Sequence, residues 1–285
     1  MLGVKIIIQF IGFGFTTLVS VATLSLSARF FGPEVLGEVN YLLGILGLLL
    51  LFSDMGFSRA HIRFVSNKKN VREKIGVFLA TKLFLLFFFI VFALIYFYLA
   101  KTGKREYFFI FLILAAYEFF NRLGTSLLYT FEGLQAVTLE NLAFGTGKFV
   151  KLLVLIIAIF LSRNILGLSL AYFSEGLVLV FLSFFLLKKY WPFRFNKKIF
   201  KSYFRYSLPF FVIYPLSYIQ GNAGVVLLKT FWNSASVGYY SAAVGLAGFV
   251  KSMYGVVISL FFPRMSEIFS QKEFSRVTAC NPSKV

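Results

Sequence analysis

Eight runs of about 20 apolar residues, joined by short polar connections, constrain this 285-residue chain more than any other feature. A helix needs about 20 such residues to cross a hydrocarbon core about 30 Å thick. Inside that core only helices and closed barrels satisfy their backbone hydrogen bonds. The runs are 6–28, 36–58, 76–100, 106–130, 142–162, 165–187, 206–228 and 236–262. They predict an all-α fold: a polytopic membrane helical bundle of about eight transmembrane helices. The first run follows only Met1–Lys5 and has no clear small-x-small cleavage site. It also exceeds a secretory signal's apolar region of about 7–15 residues, so it reads as a retained span. The composition, 59% hydrophobic and 14% charged, excludes a water-soluble globular enzyme, whose charged share is about 25%.

Lysine and arginine fix the orientation, because loops left inside carry the excess of them. With the N-terminus inside, 18 of the 29 Lys and Arg fall on inner segments, among them Arg59, Arg63, Lys68, Lys69, Arg72 and Lys74. Six fall outside (Arg29, Lys101, Lys104, Arg105, Arg163, Lys229) and five within spans (Lys82, Arg122, Lys148, Lys151, Lys251). The chain is therefore expected to be N-in and C-in. Residues 1–187 form a six-helix lobe, and 188–205 a basic amphipathic connector. Residues 206–262 are the first two helices of a second lobe, and 263–285 a cytoplasmic tail. In the connector, Ile199, Phe200, Tyr203 and Phe204 recur at helical spacing among Lys197, Lys198, Lys201 and Arg205. This pattern predicts a helix in the membrane interface, bases toward anionic lipid and rings toward the acyl chains. Membrane lipid is thus an expected partner, and nucleic acid is not.

A single cysteine, Cys280, excludes an internal disulfide or a cysteine metal cluster. The single histidine, His61, is expected to be a solvated loop residue. The chain has no Walker motif, no GxSxG and no metal-ligand cluster. Neither ATP hydrolysis nor hydrolase chemistry is supported, and no metal or cofactor is expected. Chemistry must then rest on ionisable groups inside the spans, which by default face the bundle interior and mark pathways. Arg122 lies four residues after Glu118, either as a self-neutralising pair or as a cavity lining. Lys148 and Lys151 lie one turn apart; their nearest acid in sequence is Glu140, and Glu175 is the other deep acid. Lys82 lies close enough to the inner end to snorkel. Lys251 has small neighbours Gly248, Ser252 and Gly255. Asp54 is placed to pair with Arg59 or to cap its span. Gly12, Gly14, Gly44 and Gly47 suit helix packing.

A weak repeat links residues 30–41, FFGPEVLGEVNY, to 231–242, FWNSASVGYYSA. Aligning Gly37 with Gly238 gives an offset of 201 and also pairs Phe31 with Trp232. Six spans lie between the copies, so the repeats would be parallel and related by an axis along the membrane normal.

The run Ala28-Arg29-Phe30-Phe31-Gly32-Pro33-Glu34 with Gly37 resembles the signature of oligosaccharide flippases and polysaccharide-biosynthesis exporters, within the multidrug/oligosaccharidyl-lipid/polysaccharide exporter superfamily. The segment from Ser53 to Ala60 with Arg63 is similar to the family's mark closing the second span. Leu208-Pro209, Val237-Gly238-Tyr239-Tyr240 and Phe262-Pro263-Arg264 resemble its second-lobe marks. The resemblance implies a flippase, not an enzyme, that moves lipid-linked oligosaccharide across the cell membrane by alternating access about a basic cavity. Envelope polysaccharide synthesis enzymes would be partners. It also implies headgroup diphosphate contacts at Arg29, Arg59 and Arg63; Arg122, Lys148, Lys151 and Lys251 are candidates from their place inside spans. Asp54, Glu118 and Glu175 are candidates for ion pairing or coupling. A cation-coupled drug exporter of the same superfamily is the alternative, disfavoured because span 6–28 has no acid. Family members typically have 12 to 14 spans, so a truncated remnant is the other expectation.

Overall fold

The computed structural model describes residues 2–99 and 105–248. Eight α-helices lie in chain order: α1 (Leu2–Leu49), α2 (Phe57–Val65), α3 (Val71–Leu99), α4 (Arg105–Gly133), α5 (Val137–Leu161), α6 (Ile165–Leu187), α7 (Lys197–Ser207) and α8 (Phe210–Phe231). A ninth helical segment covers 234–248. Among the described residues, six helices are long and apolar enough to cross a membrane, with the two arms of α1 counted once. The outward faces carry the apolar surplus: Phe84, Phe160 and Phe181 are each more than 60% exposed. In lipid such exposure costs nothing. By contact, residues 1–242 form one compact unit and 243–285 another.

The two expected spans, 6–28 and 36–58, are the two opposed arms of α1, separated at Gly32. Gly32 has φ 78 and ψ 167, outside helical space. Only glycine enters that region without steric cost, and Pro33 restarts the helix at a position where proline's missing N–H is no loss. The first arm runs beside α5: Gly12 packs on Asn141 near one end. Phe30 lies 5.5 Å from the Arg163 guanidinium at the other end. The second arm runs back along α3, bringing Tyr41 beside Tyr96 and, past its end, Asp54 onto Lys82. Helix α1 stops at Leu49, short of the expected 58. Met55 and Gly56 take positive φ, and Asp54 Oδ2 accepts from the Gly56 N–H at 3.2 Å. This turn starts α2 as a separate helix. The eighth expected span, 236–262, is helical over 236–248; its remainder and Lys251 lie outside the described residues.

Close backbone approach holds the bundle together. Gly124 packs on the Leu179–Val180 backbone and Gly176 on the Tyr117 carbonyl, joining α4 to α6. Small residues serve this purpose where lipid removes any hydrophobic drive between helices. The two copies of the repeat meet in the same way. A methyl on Gly37 would fall on the Ser234 carbonyl, and one on Gly238 would fall on the Pro33 carbonyl. Ser234 follows Pro33, as Gly238 follows Gly37, by the offset of 201. The contact is therefore reciprocal, as at a two-fold interface.

Helix α7 packs one face against protein, while Lys197, Lys198, Lys201 and Arg205 stay exposed. Tyr203 and Ser207 are fully buried, and Tyr203, Phe200 and Ile199 pack with Phe57, Ala60 and Phe78 of α2 and α3. Only part of the aromatic face, with Phe204 42% exposed, is left for lipid. Asn196 accepts from the Lys198 N–H as the N-cap and donates to Glu73 of α3 at 2.7 Å. His61 is the bolt at the centre of this assembly and not a solvated loop residue. It is 0% exposed. Its Nδ1 lies 3.0 Å from the Tyr203 hydroxyl and its Nε2 2.9 Å from the Thr130 hydroxyl, while its ring stacks on Phe78 at 4.0 Å. A neutral imidazole, with one donor and one acceptor nitrogen, satisfies both hydroxyls.

Burial first, and then the charges of Lys82 and Lys74, push His61 down to about 3. The unfolded chain binds a proton near pH 6.5 that the fold excludes. Stability is thus fully present above that pH and falls by about 1.4 kcal/mol per unit as pH drops toward 3. Thermal unfolding of the detergent-solubilised protein should show this slope between pH 6 and 4, and His61→Gln should flatten it.

Candidate functional site

A polar cavity of about 520 Å³ lies among the end of the second α1 arm, α2, α3, α4 and α8. Ser58, Arg59 and Ile62 of α2 line its mouth, beside the basic connections, and Lys82, Arg122 and Asn222 line it further in. Lys82 and Arg122 each lie 11 residues from the nearer end of their helix, so the cavity reaches about 16 Å deep at 1.5 Å per residue. Of its 16 lining residues, nine are uncharged and polar, five are charged and only Ile62 and Leu86 are apolar. In a chain 59% hydrophobic, that concentration marks a place built for water or a polar ligand.

The charges inside are mostly committed. Asp54 forms an ion pair with Lys82, both almost wholly buried, and Ser58 also donates to Asp54. Lys82 therefore does not snorkel; it donates to Asp54 and to the Ser53 carbonyl. Asp54 pairs with Lys82 and not with Arg59. Arg122 donates to Glu118 at 3.1 Å and keeps 38% of its side chain exposed. Its guanidinium also lies 5.3 Å from the Tyr218 ring. Arg59, exposed at the mouth, forms no ion pair within 4 Å among the described residues. The neighbouring Tyr214 hydroxyl raises its already basic guanidinium further.

Of the residues singled out from sequence, the structure brings Asp54, Arg59, Lys82 and Arg122 into this cavity, with Glu118 behind Arg122. Arg29, Arg63, Lys148, Lys151 and Glu175 lie elsewhere, and Lys251 is outside the described residues. Arg63 stacks over Tyr206 at 4.7 Å and ties α2 to α7. Arg29 is exposed beside the Gly32 reversal at the opposite end. Lys148 and Lys151 share Glu175 of α6, at 3.8 and 3.0 Å. Lys151 also sits 3.3 Å from the Tyr172 ring. Their acid comes from the next helix, 24 residues on, which a search within one turn overlooks. They line a separate small pocket with Ser20, Thr23 and Ser27. The cavity, expected to be basic, holds three cations against two acids, and Arg59 is the cation without an ion pair among the described residues.

Thr125, Ser126, Tyr129 and Glu132 of α4 escaped the sequence reading, and so did Tyr214, Ser217, Tyr218 and Asn222 of α8. For the α8 residues, the spacing of i, i+3, i+4 and i+8 on an otherwise apolar helix was the signal.

At the opposite end α1 and α8 are tied together. Lys229 near the end of α8 donates to Glu38 of α1 at 2.9 Å, and Ser234 donates to the same oxygen at 2.6 Å. These bonds lie beside the reciprocal glycine contact of Gly37 and Gly238.

The sequence profile of the polysaccharide biosynthesis protein family matches residues 2–269. The chain belongs to that family. Members are typically transporters or flippases and not enzymes, and a multi-pass membrane protein with a wet cavity fits among them. No curated protein matches the chain.

Removing one partner of the buried Asp54–Lys82 pair leaves a bare charge and costs about 3–5 kcal/mol. Lys82→Met should therefore lower the unfolding midpoint sharply in chemical denaturation. The Asp54→Asn, Lys82→Met double variant should recover most of that loss.

Proposed function

We propose that this protein moves a lipid-linked oligosaccharide from the inner to the outer leaflet of the cytoplasmic membrane for envelope polysaccharide synthesis. The observation that carries the reading is the cavity lining: nine uncharged polar residues with one unpaired arginine at the mouth. A polyhydroxylated headgroup on a diphosphate needs both kinds of contact. A bare ion in hydrocarbon costs tens of kcal/mol in the Born limit, so the headgroup must travel through such a wet path while its hydrocarbon tail stays in lipid. Arg59 offers a planar fork of donors suited to phosphate oxygens. Arg122 can turn part of its exposed guanidinium to the same group while it holds Glu118. An inside-negative potential contributes about 2.3 kcal/mol per charge per 100 mV toward outward movement of an anion.

In this reading the conformation faces inward. The cavity mouth lies among the basic connections, which face the cytoplasm by the positive-inside rule. The Glu38–Lys229–Ser234 cluster and the glycine contact form the outer seal. Alternating access would break that seal and close the mouth, the two repeats rocking about the axis that relates them. Enzymes of polysaccharide synthesis would build the substrate on the inner face and consume it on the outer.

Transfer of a polyprenyl-diphosphate trisaccharide across proteoliposomes tests the reading. Arg59→Ala should lower the rate about tenfold or more, and Arg29→Ala should leave it unchanged. Gly37→Val should hold the seal apart and abolish transfer while headgroup binding persists. No transfer by the parent chain, with efflux of a cationic dye instead, would replace the reading with drug export.

A further inference from the structure

We infer that the cavity has two chemically distinct walls, and that the α8 face bearing Ser217, Tyr218 and Asn222 is a sugar-binding wall that selects glycosylated over bare diphosphate lipid. The inference rests on the proposed transport reading and assigns one part of its site. The wall formed by α2 and α4 is charged: Arg59 and Arg122 present N–H groups and accept nothing, and Glu132 faces Arg59. The α8 wall carries no charge. Ser217 spends its hydroxyl proton on the Ile213 carbonyl at 2.9 Å. Asn222 spends an amide proton on the Tyr218 carbonyl at 2.8 Å. These residues leave the Ser217 Oγ and the Asn222 Oδ1 free to accept, since neither receives a donor among the described residues, beside the second Asn222 N–H and the Tyr214 and Tyr218 hydroxyls. Gly47 makes this arrangement rigid, because its missing side chain leaves the space that the Asn222 amide fills.

Lone pairs discriminate between the two halves of such a substrate. A diphosphate diester carries no proton at neutral pH, so it gains nothing from acceptors and is repelled by them. A sugar hydroxyl donates readily, and polar groups left unpaired when it is missing penalise the analogue without it. The two walls meet at Tyr218, whose ring faces Arg122 at 5.3 Å and whose hydroxyl lies 3.2 Å from Ser53 Oγ. That junction matches a substrate in which sugar and diphosphate are directly bonded. Tyr218 also supplies a flat apolar face of the kind that packs on the C–H face of a pyranose.

Two probes of equal charge, the diester farnesyl methyl diphosphate and the same lipid bearing an N-acetylglucosamine disaccharide in place of the methyl, separate the walls. Binding of each is measured to the full chain in nanodiscs. Two hydrogen bonds worth about 0.5–1.5 kcal/mol each predict about tenfold tighter binding of the glycosylated probe. The Ser217→Ala, Asn222→Ala double variant should abolish that preference and leave affinity for the methyl diester unchanged. Ser217→Thr, which keeps the lone pairs, should retain its share of the preference. Arg59→Ala should weaken both probes alike. Equal affinity of the parent for the two probes would overturn the inference, as would a double variant that keeps the preference or weakens both probes equally. Binding of neither probe would overturn the transport reading itself, and the sugar wall with it.

Discussion

Hydrocarbon gives no hydrogen bonds, and most of the described polar groups in this bundle are arranged around that fact. The serines and threonines of α1 return their hydroxyl protons to carbonyls one turn back, as Thr23 and Ser27 do. Deep charges meet opposite charges: Lys82 meets Asp54, Lys151 meets Glu175, and Arg122 meets Glu118. Each pairing crosses between elements or between turns, so satisfying the charges also fixes how helices register against one another. The cavity is where this rule relaxes, because water or a ligand can do there what protein partners do elsewhere. A hydroxyl-rich lining follows from that logic.

Much of the fold was legible because hydropathy reports directly on burial in lipid. The run 165–187 coincides with α6, and the runs leading to α3, α4 and α5 differ from the helices only at their ends. The break between the first two runs falls at Gly32, whose positive φ separates two opposed arms. What the runs misplaced was the end of the second arm. Phe57 is apolar enough to prolong a span, but it belongs to a short helix buried against α3 and α7. Hydropathy cannot tell a residue buried in protein from one buried in lipid.

The site was legible in part for the same physical reason. Asp54, Arg59 and Arg122 stood out as charges in or near apolar runs, and the cavity contains all three. Lys148 and Lys151 stood out equally, yet their partner Glu175 lies on a neighbouring helix, and only the packing of α5 on α6 brings it near. The reverse error hid the α8 wall, since tyrosine, serine and asparagine carry no charge and barely disturb a hydropathy count. His61 was misread because a polar connection of Lys and Arg surrounds it in sequence. In space it faces away from them, between two hydroxyls and a phenylalanine ring.

The bolting of α7 has a mechanical consequence. Tyr203 through His61, Asn196 through Glu73, and Arg63 over Tyr206 fasten the connector to α2, α3 and α4 at three separate points. The connector is therefore not a tether with slack. Between its last residue, Ser207, and the first of α8, Phe210, only Leu208 and Pro209 intervene. Any swing of α8 relative to the first six crossings has to be absorbed in the dihedral angles of that two-residue joint, one of which proline already fixes. A pivot so short turns translation into rotation, and so sets the direction in which the cavity walls can part.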